Sequence, residues 1–161
     1  MSLRVGLGYD IHALGADRPL VLGGVTVDGP GLLGHSDADV VAHAVADALL
    51  GAAGLPDLGT IFPAADEQYR DADSLDLLRR VVERVGTAGW SVTNVDVVVS
   101  AEAPRLAPHV ATMAANLGAA VDGPVNVKAK RGEGVGTVGR GEAIAAWAVA
   151  LLQTPEVTEA R

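Results

Sequence analysis

Residues 34–59 read GHSDADVVAHAVADALLGAAGLPDLG, and this stretch decides the fold. Ala38, Val41, Ala42, Val45, Leu49 and Ala52 recur at helical spacing and form one apolar stripe. Ser36 followed three residues later by Asp39 is a capping-box pattern, so the helix is expected to begin at Ser36. Gly51 and Gly54 supply its stop signals. Asp39, His43 and Asp47 lie four apart on the side nearly opposite the apolar stripe. His43 therefore points to solvent or to a second wall. The stripe reads either as a solvated charged face or as a metal-ligand histidine flanked by carboxylates.

Upstream, Val5, Leu7, Tyr9 and Ile11 alternate with Gly6, Gly8, Asp10 and His12, the period of a strand. Asp10 and His12 leave the same face of it. They read as a surface polar pair or as a carboxylate and an imidazole offered to one ion. With His43 they would make a three-ligand site with one open position. Residues 20–27 carry Gly23 and Gly24 in their middle and read as a bulged strand or a hairpin.

Downstream, 55–73 reads as loop, and a second helix starts near Asp73 or Ser74 and ends at Gly89. Val92–Ser100 is a strand whose valine run suggests burial on both faces. Pro104 is expected to open a third helix through about Leu117, followed by a strand over Val125–Lys130. Residues 132–141 are glycine-rich, and a last helix is expected from Gly141 to Leu152, with a polar tail after Pro155. Gly134, Gly136 and Gly139 match G-x-G-x-x-G, but no strand follows the last helix, so the dinucleotide reading fails. A glycine-rich loop flanked by Lys130, Arg131 and Arg140 still suits phosphate. His35 and Ser36 suit phosphate at a helix start, Ser36 also as a plain cap. His109 has no partner in the pattern, and Trp90 and Trp147 read as core or subunit-packing residues.

The 161 residues give one α/β or α+β domain without linker or repeat. Hydrophobic residues at 49% and a mean hydropathy of +0.30 exclude disorder. A net charge of −8 argues against nucleic acid or an anionic membrane as partner. With no cysteine, any metal is held by histidines and carboxylates. No apolar run reaches membrane-spanning length, and the chain reads as cytoplasmic.

Taken in order, GYDIHAL, LVLGGV, GHSDADVVAHAVADALLGAAGLPDLG, FP, DSLDLL, NVDVVVSAEAPRLAPHV, NVKA and GRGEAIAA resemble the 2-C-methyl-D-erythritol 2,4-cyclodiphosphate synthase family over nearly the whole chain. The resemblance implies an α+β domain over residues 1–161. Its mostly four-stranded mixed sheet is covered by helices on one face, and the sheets of a homotrimer meet around the axis. The implied reaction is a lyase step of non-mevalonate isoprenoid synthesis. The 2-phosphate of 4-diphosphocytidyl-2-C-methyl-D-erythritol 2-phosphate attacks the β-phosphorus and CMP leaves. By the same resemblance, one zinc per subunit sits on Asp10, His12 and His43. Glu133 lies near a second divalent ion, magnesium or manganese. His35 and Arg131 are the catalytic residues. His35 and Ser36 fall on the phosphate side and Asp57 and Gly59 at the methylerythritol, while Asp10, His12, Leu58 and Lys130 also bind substrate. Ala101, Pro104, Arg105 and Leu106 fall in the cytidine pocket, and Arg140 in a cavity on the trimer axis. Active sites lie between subunits, and no nucleic acid or membrane is engaged.

The chain departs from the family at Lys130, Arg131 and Gly132, where a threonine triplet is usual, and at Ala64, Thr137 and Val138. Two other readings stay open, the first of them because of those departures. One is a non-catalytic or altered trimeric binder of metal and diphosphate. The other, set back by the lack of a base motif such as H-E-x-x-H, is an unrelated zinc hydrolase.

Overall fold

Gly6 and Gly8 let a helix lie directly on a strand. A Cβ on Gly6 would stand 2.0 Å from the Ala48 carbonyl oxygen, and one on Gly8 1.9 Å from that of Ala44. The strand is β1, Leu3–Ala16, and the helix is α1, Val40–Ala53. Ala44, Ala48 and Ala52, four apart, complete the contact from the helix side.

The computed structural model describes residues 1–154, and the expected polar tail lies outside the described residues. Between β1 and α1 come β2 (Leu20–Leu22), β3 (Val25–Val27) and β4 (Gly31–Leu32). Strands β2 and β3 form a hairpin. Its turn residues Gly23 and Gly24 both have positive φ, +56° and +69°, the backbone a two-residue hairpin turn demands. After α1 come the single-turn α2 (Leu58–Ile61), a 3₁₀ turn at Glu67–Tyr69, α3 (Ser74–Thr87) and β5 (Ser91–Ser100). Then follow α4 (Val110–Val121), β6 (Val125–Lys130), the single-turn α5 (Gly136–Gly139) and β7 (Ala143–Gln153).

The main sheet has five strands in the order β4-β1-β7-β5-β6, parallel only between β5 and β6. It is an α+β domain whose main sheet has five strands rather than four: the segment expected as the last helix is β7, the two-residue β4 adds an edge, and the strand expected over 20–27 is a separate hairpin. The run AIAAWAVALLQ has helix-forming composition. It pairs instead with β1 and β5 on either side. Its small residues Ala146, Ala148 and Ala150 sit opposite Asp10, Gly8 and Gly6 and floor the seat of α1. Tertiary fit overrides propensity here.

Three other boundaries move. The first helix begins at Val40, capped by Asp39, not at Ser36. The third helix begins at Val110, and residues 104–109 form a loop after the cis Ala103–Pro104 bond. The valine run is buried on one face only: Val95, Val97 and Val99 are buried under the helices, while Asp96 and Val98 are half-buried on the other side. The second helix starts at Ser74 as expected.

Ten of the fourteen residues of α1 are buried, so it is the centre of the core. The opposite face of the sheet is open. It carries Val5, Leu7, Tyr9, Ile11, Trp147 and Val149, all exposed, with Tyr9 and Trp147 rings 5.3 Å apart.

Candidate metal centre and active site

The few residues of α1 that are not buried include His43, Asp47 and Gly51, one per turn. That stripe looks toward the end of β1 where Asp10 and His12 emerge. The fit of α1 on the two glycines closes the gap. One ligand atom each from Asp10, His12 and His43 lies within 4.8 Å of the other two. Asp10 Oδ2 is 3.0 Å from His12 Nε2 and 2.9 Å from His43 Nδ1.

The far side of each imidazole is held by groups that settle its protons. His12 Nδ1 lies 2.7 Å from the Leu33 carbonyl oxygen, which only accepts, so this nitrogen carries hydrogen. His43 Nε2 lies 2.9 Å from Ser74 Oγ. The Ser74 hydroxyl in turn donates to the Asp37 carboxylate, so it accepts from His43. Each imidazole therefore turns its other nitrogen, a lone pair when the ring is neutral and Nδ1 of His12 or Nε2 of His43 carries the hydrogen, toward the Asp10 carboxylate. Three electron-pair donors face one point, and a cation satisfies all three. A divalent metal fits this donor set. Burial of Asp10 pushes its carboxyl up, but hydrogen bonds and charge from His12 and His43 outweigh it and hold the group well below the carboxylate range. The hydrogen bond to Asp10 raises the His12 imidazole above its ordinary value, against its own burial.

A cavity of about 260 Å³ opens beside the three ligands, lined also by His35, Ser36, Leu58, Gly59 and Ala64. His35 Nε2 is buried there with no hydrogen-bond partner among the described residues. Its loop is strapped down. Asp71 N donates to the His35 carbonyl at 2.9 Å and Asp37 N to that of Ala72 at 3.1 Å. Arg18 donates to the carbonyls of Gly34, at 3.0 Å, and Ser36.

Ser36 lines the cavity but is not the helix cap. It is 7% exposed, and Oγ turns inward, accepting from Ala38 N at 3.2 Å and lying 3.2 Å from His43 Nε2. Asp39 is wholly buried and leaves the His43 stripe. Its carboxylate accepts from the backbone N–H groups of Gly23, Gly24, Val41 and Ala42, tying the hairpin to the helix start. Asp47 accepts from Leu58 N at 2.8 Å and so seats α2 at the cavity rim. Asp57 caps α2 through Thr60 and lines a neighbouring depression with Tyr9 and Gly8, outside this cavity.

A second cavity, about 470 Å³, lies at the ends of β5 and β6, lined by Ala101, Pro104, Arg105, Leu106, Lys130 and Arg131. It shares no lining residue with the first. Arg131 pairs with Glu102 on its wall and holds that carboxyl below its ordinary value. Glu133 is exposed, with φ of 52°, and is not among the residues grouped with Asp10, His12 and His43. Arg140 is exposed and paired with Glu142, Nε to Oε1 at 2.7 Å and Nη2 to Oε2 at 3.1 Å.

Arg18, Asp37 and Ser74 were not legible as site residues. Their roles are tertiary hydrogen bonds that no spacing announces, although Ser74 stands in the DSLDLL stretch that starts α3.

The YgbB family model matches residues 3–153. The 2-C-methyl-D-erythritol 2,4-cyclodiphosphate synthase of Bordetella petrii is 57% identical over 156 residues, 94% of this chain and 96% of that one. Among solved structures, the bifunctional IspDF of Campylobacter jejuni matches with a TM-score of 0.92 and 37% identity over 96% of this chain, which spans 43% of that longer one. The Plasmodium falciparum IspF in complex with CDP matches with a TM-score of 0.83 and 31% identity, over 96% of this chain and 98% of that one. A match along nearly the whole chain, at this identity and with this fold, means that the chain belongs to the YgbB family, the family of the 2-C-methyl-D-erythritol 2,4-cyclodiphosphate synthases.

Proposed function

We propose that the chain converts 4-diphosphocytidyl-2-C-methyl-D-erythritol 2-phosphate to 2-C-methyl-D-erythritol 2,4-cyclodiphosphate and CMP. An oxygen of the 2-phosphate attacks the β-phosphorus. The bond from that phosphorus to the oxygen bridging the α-phosphate breaks, and its electron pair leaves with CMP. The atoms balance without water and without a covalent enzyme intermediate, so the site works by holding the groups in line and offsetting their charge.

The observation that carries this reading is the convergence of Asp10, His12 and His43 on one point beside a cavity with room for a phosphorylated polyol. The ion we assign there is zinc, on Asp10 Oδ2, His12 Nε2 and His43 Nδ1, where it supplies positive charge against phosphate oxygens. His35, with its unpartnered Nε2, holds a phosphate oxygen on the cavity side of that centre. Ser36 acts through its backbone and by orienting His43, since its hydroxyl is turned inward. Leu58 and Gly59, with Asp57 beyond them, receive the methylerythritol. The backbone of Ala101 and of Pro104, Arg105 and Leu106 receives the cytosine, while Lys130 and Arg131 offset diphosphate charge from the rim. Glu133 would hold the second ion, magnesium or manganese, which would offset diphosphate charge. Arg140 serves the axial cavity once released from Glu142.

One substrate has to meet both the metal group and the nucleotide pocket, and in one chain these are separate cavities. Together with the open apolar sheet face, this supports a homotrimer in which each active site joins the metal group of one subunit to the nucleotide pocket of another. A charged nucleotide substrate supports a location in the cytoplasm.

The test compares metal content and CMP release for the wild type and His43→Ala. The account expects both to be lost together. A metal-free His43→Ala protein with full CMP release would overturn it.

A further inference from the structure

The metal ligand His43 is flanked by residues that the proposed reaction does not use. Ser74 is 1% exposed at the first position of α3. Its Oγ lies 2.9 Å from His43 Nε2 and donates to Asp37 Oδ1. The other Asp37 oxygen accepts from Ser74 N at 3.1 Å, so this carboxylate grips both the hydroxyl and the backbone of one residue. Asp37 is itself fixed, its Oδ1 accepting from Asp39 N at 3.1 Å and its N–H donating to the Ala72 carbonyl.

We propose that Asp37 and Ser74 are positioning residues that take the His43 Nε2 hydrogen and hold the ring with Nδ1 as an electron-pair donor to the metal. The inference rests on the metal-centre reading given above.

A carboxylate only accepts, so the Ser74 proton is committed to Asp37, and Ser74 Oγ is left as an acceptor for His43. Ser36 Oγ, 3.2 Å from the same nitrogen, has no carboxylate behind it and is free to donate or accept. It therefore cannot impose a tautomer. The carboxylate–hydroxyl–imidazole chain also spans three segments: the loop before α1, the start of α3, and α1 itself. It fixes the ring plane as well as its proton. On the other ligand, the Leu33 carbonyl gives His12 the same service directly. Outer partners of this kind set ligand basicity and orientation, and their loss costs ~10–100-fold in metal affinity.

The test uses full-length Ser74→Ala and Asp37→Asn, with two readouts. Cobalt(II) serves as the probe metal, titrated by its visible absorption and by competition with a chelator. Proton and ¹⁵N spectra, tractable because the chain has 4 histidines, report the His43 Nε2–H and its exchange with water in the zinc-loaded protein, where the metal replaces any hydrogen on Nδ1. We expect the wild type to show a slowly exchanging Nε2–H, and each variant to exchange it faster and bind cobalt ~10–100-fold more weakly. Wild-type cobalt affinity in both variants, or an unchanged His43 Nε2–H in Ser74→Ala, would overturn the proposal. If the wild type takes up neither metal, the metal-centre reading fails, and this proposal with it.

Discussion

His43 Nδ1 stands 2.9 Å from Asp10 Oδ2, joining the first turn of α1 to a strand residue 33 positions earlier in the chain. The contact exists because Gly6 and Gly8 remove the side chains that would hold α1 away from β1. Metal binding and backbone packing are therefore linked.

Gly8→Ala is expected to be costly for its size. The added Cβ meets the Ala44 carbonyl at 1.9 Å, backbone that does not swing aside. Destabilisation of ~1–3 kcal/mol or more is expected in urea unfolding, together with weaker metal binding as α1 shifts outward. Gly86→Ala, in α3 with nothing within 4 Å, is the control. It should be neutral or stabilising by ~0.5–1 kcal/mol.

Stability of the metal-free chain should depend on pH in a defined direction. Asp10 is held below its ordinary value, so its contribution is present above about pH 4 and lost as pH falls further. His12 is raised, so its contribution is full below about pH 6.5 and lost as pH rises through its folded value. Melting of the metal-free chain should therefore occur at higher temperature near about pH 6 than near about pH 8.5. Saturating metal should reverse the order, because metal and protons compete for the same lone pairs. Scanning calorimetry with and without chelator measures both.

Arg131 is paired with Glu102 on the wall of the second cavity. If it offsets diphosphate charge, Arg131→Thr should lower kcat/KM by ~10–100-fold, the scale of one charge-assisted hydrogen bond. A gain in rate would instead mark Arg131 as an obstruction. Steady-state kinetics at fixed ionic strength separates the two.

How far the sequence carried the reading differs by element. Asp10 and His12 on one strand face, and His43 on a stripe away from the apolar side of its helix, followed from the two backbone periods alone. That the three meet depends on the helix seating over Gly6 and Gly8, which no period encodes. The alanines of β7 were misread as helix because their composition fits either state, and only pairing with β1 and β5 decides. Ser36 was misread as the cap because the pattern S-x-x-D also describes a serine turned toward His43 and an aspartate doing the capping.

The open sheet face makes a separate prediction. Trp147 and Val149 are exposed beside Tyr9 and Leu7. Replacing Trp147 with Glu should break a homotrimer held there, lowering the sedimenting mass from three times to one times the 16.3 kDa chain. CMP release should fall with it while the metal group stays intact. An unchanged trimer would place the subunit contact elsewhere.

The central claim is an intramolecular ring closure at the metal group, and the product states it most directly. The measurement is phosphorus NMR of the metal-loaded chain with the diphosphocytidyl substrate and magnesium. The account predicts CMP and cyclic diphosphate in equal amounts. Failure of the folded, metal-loaded protein to release CMP, or release accompanied by an open-chain phosphate from attack by water, would contradict it.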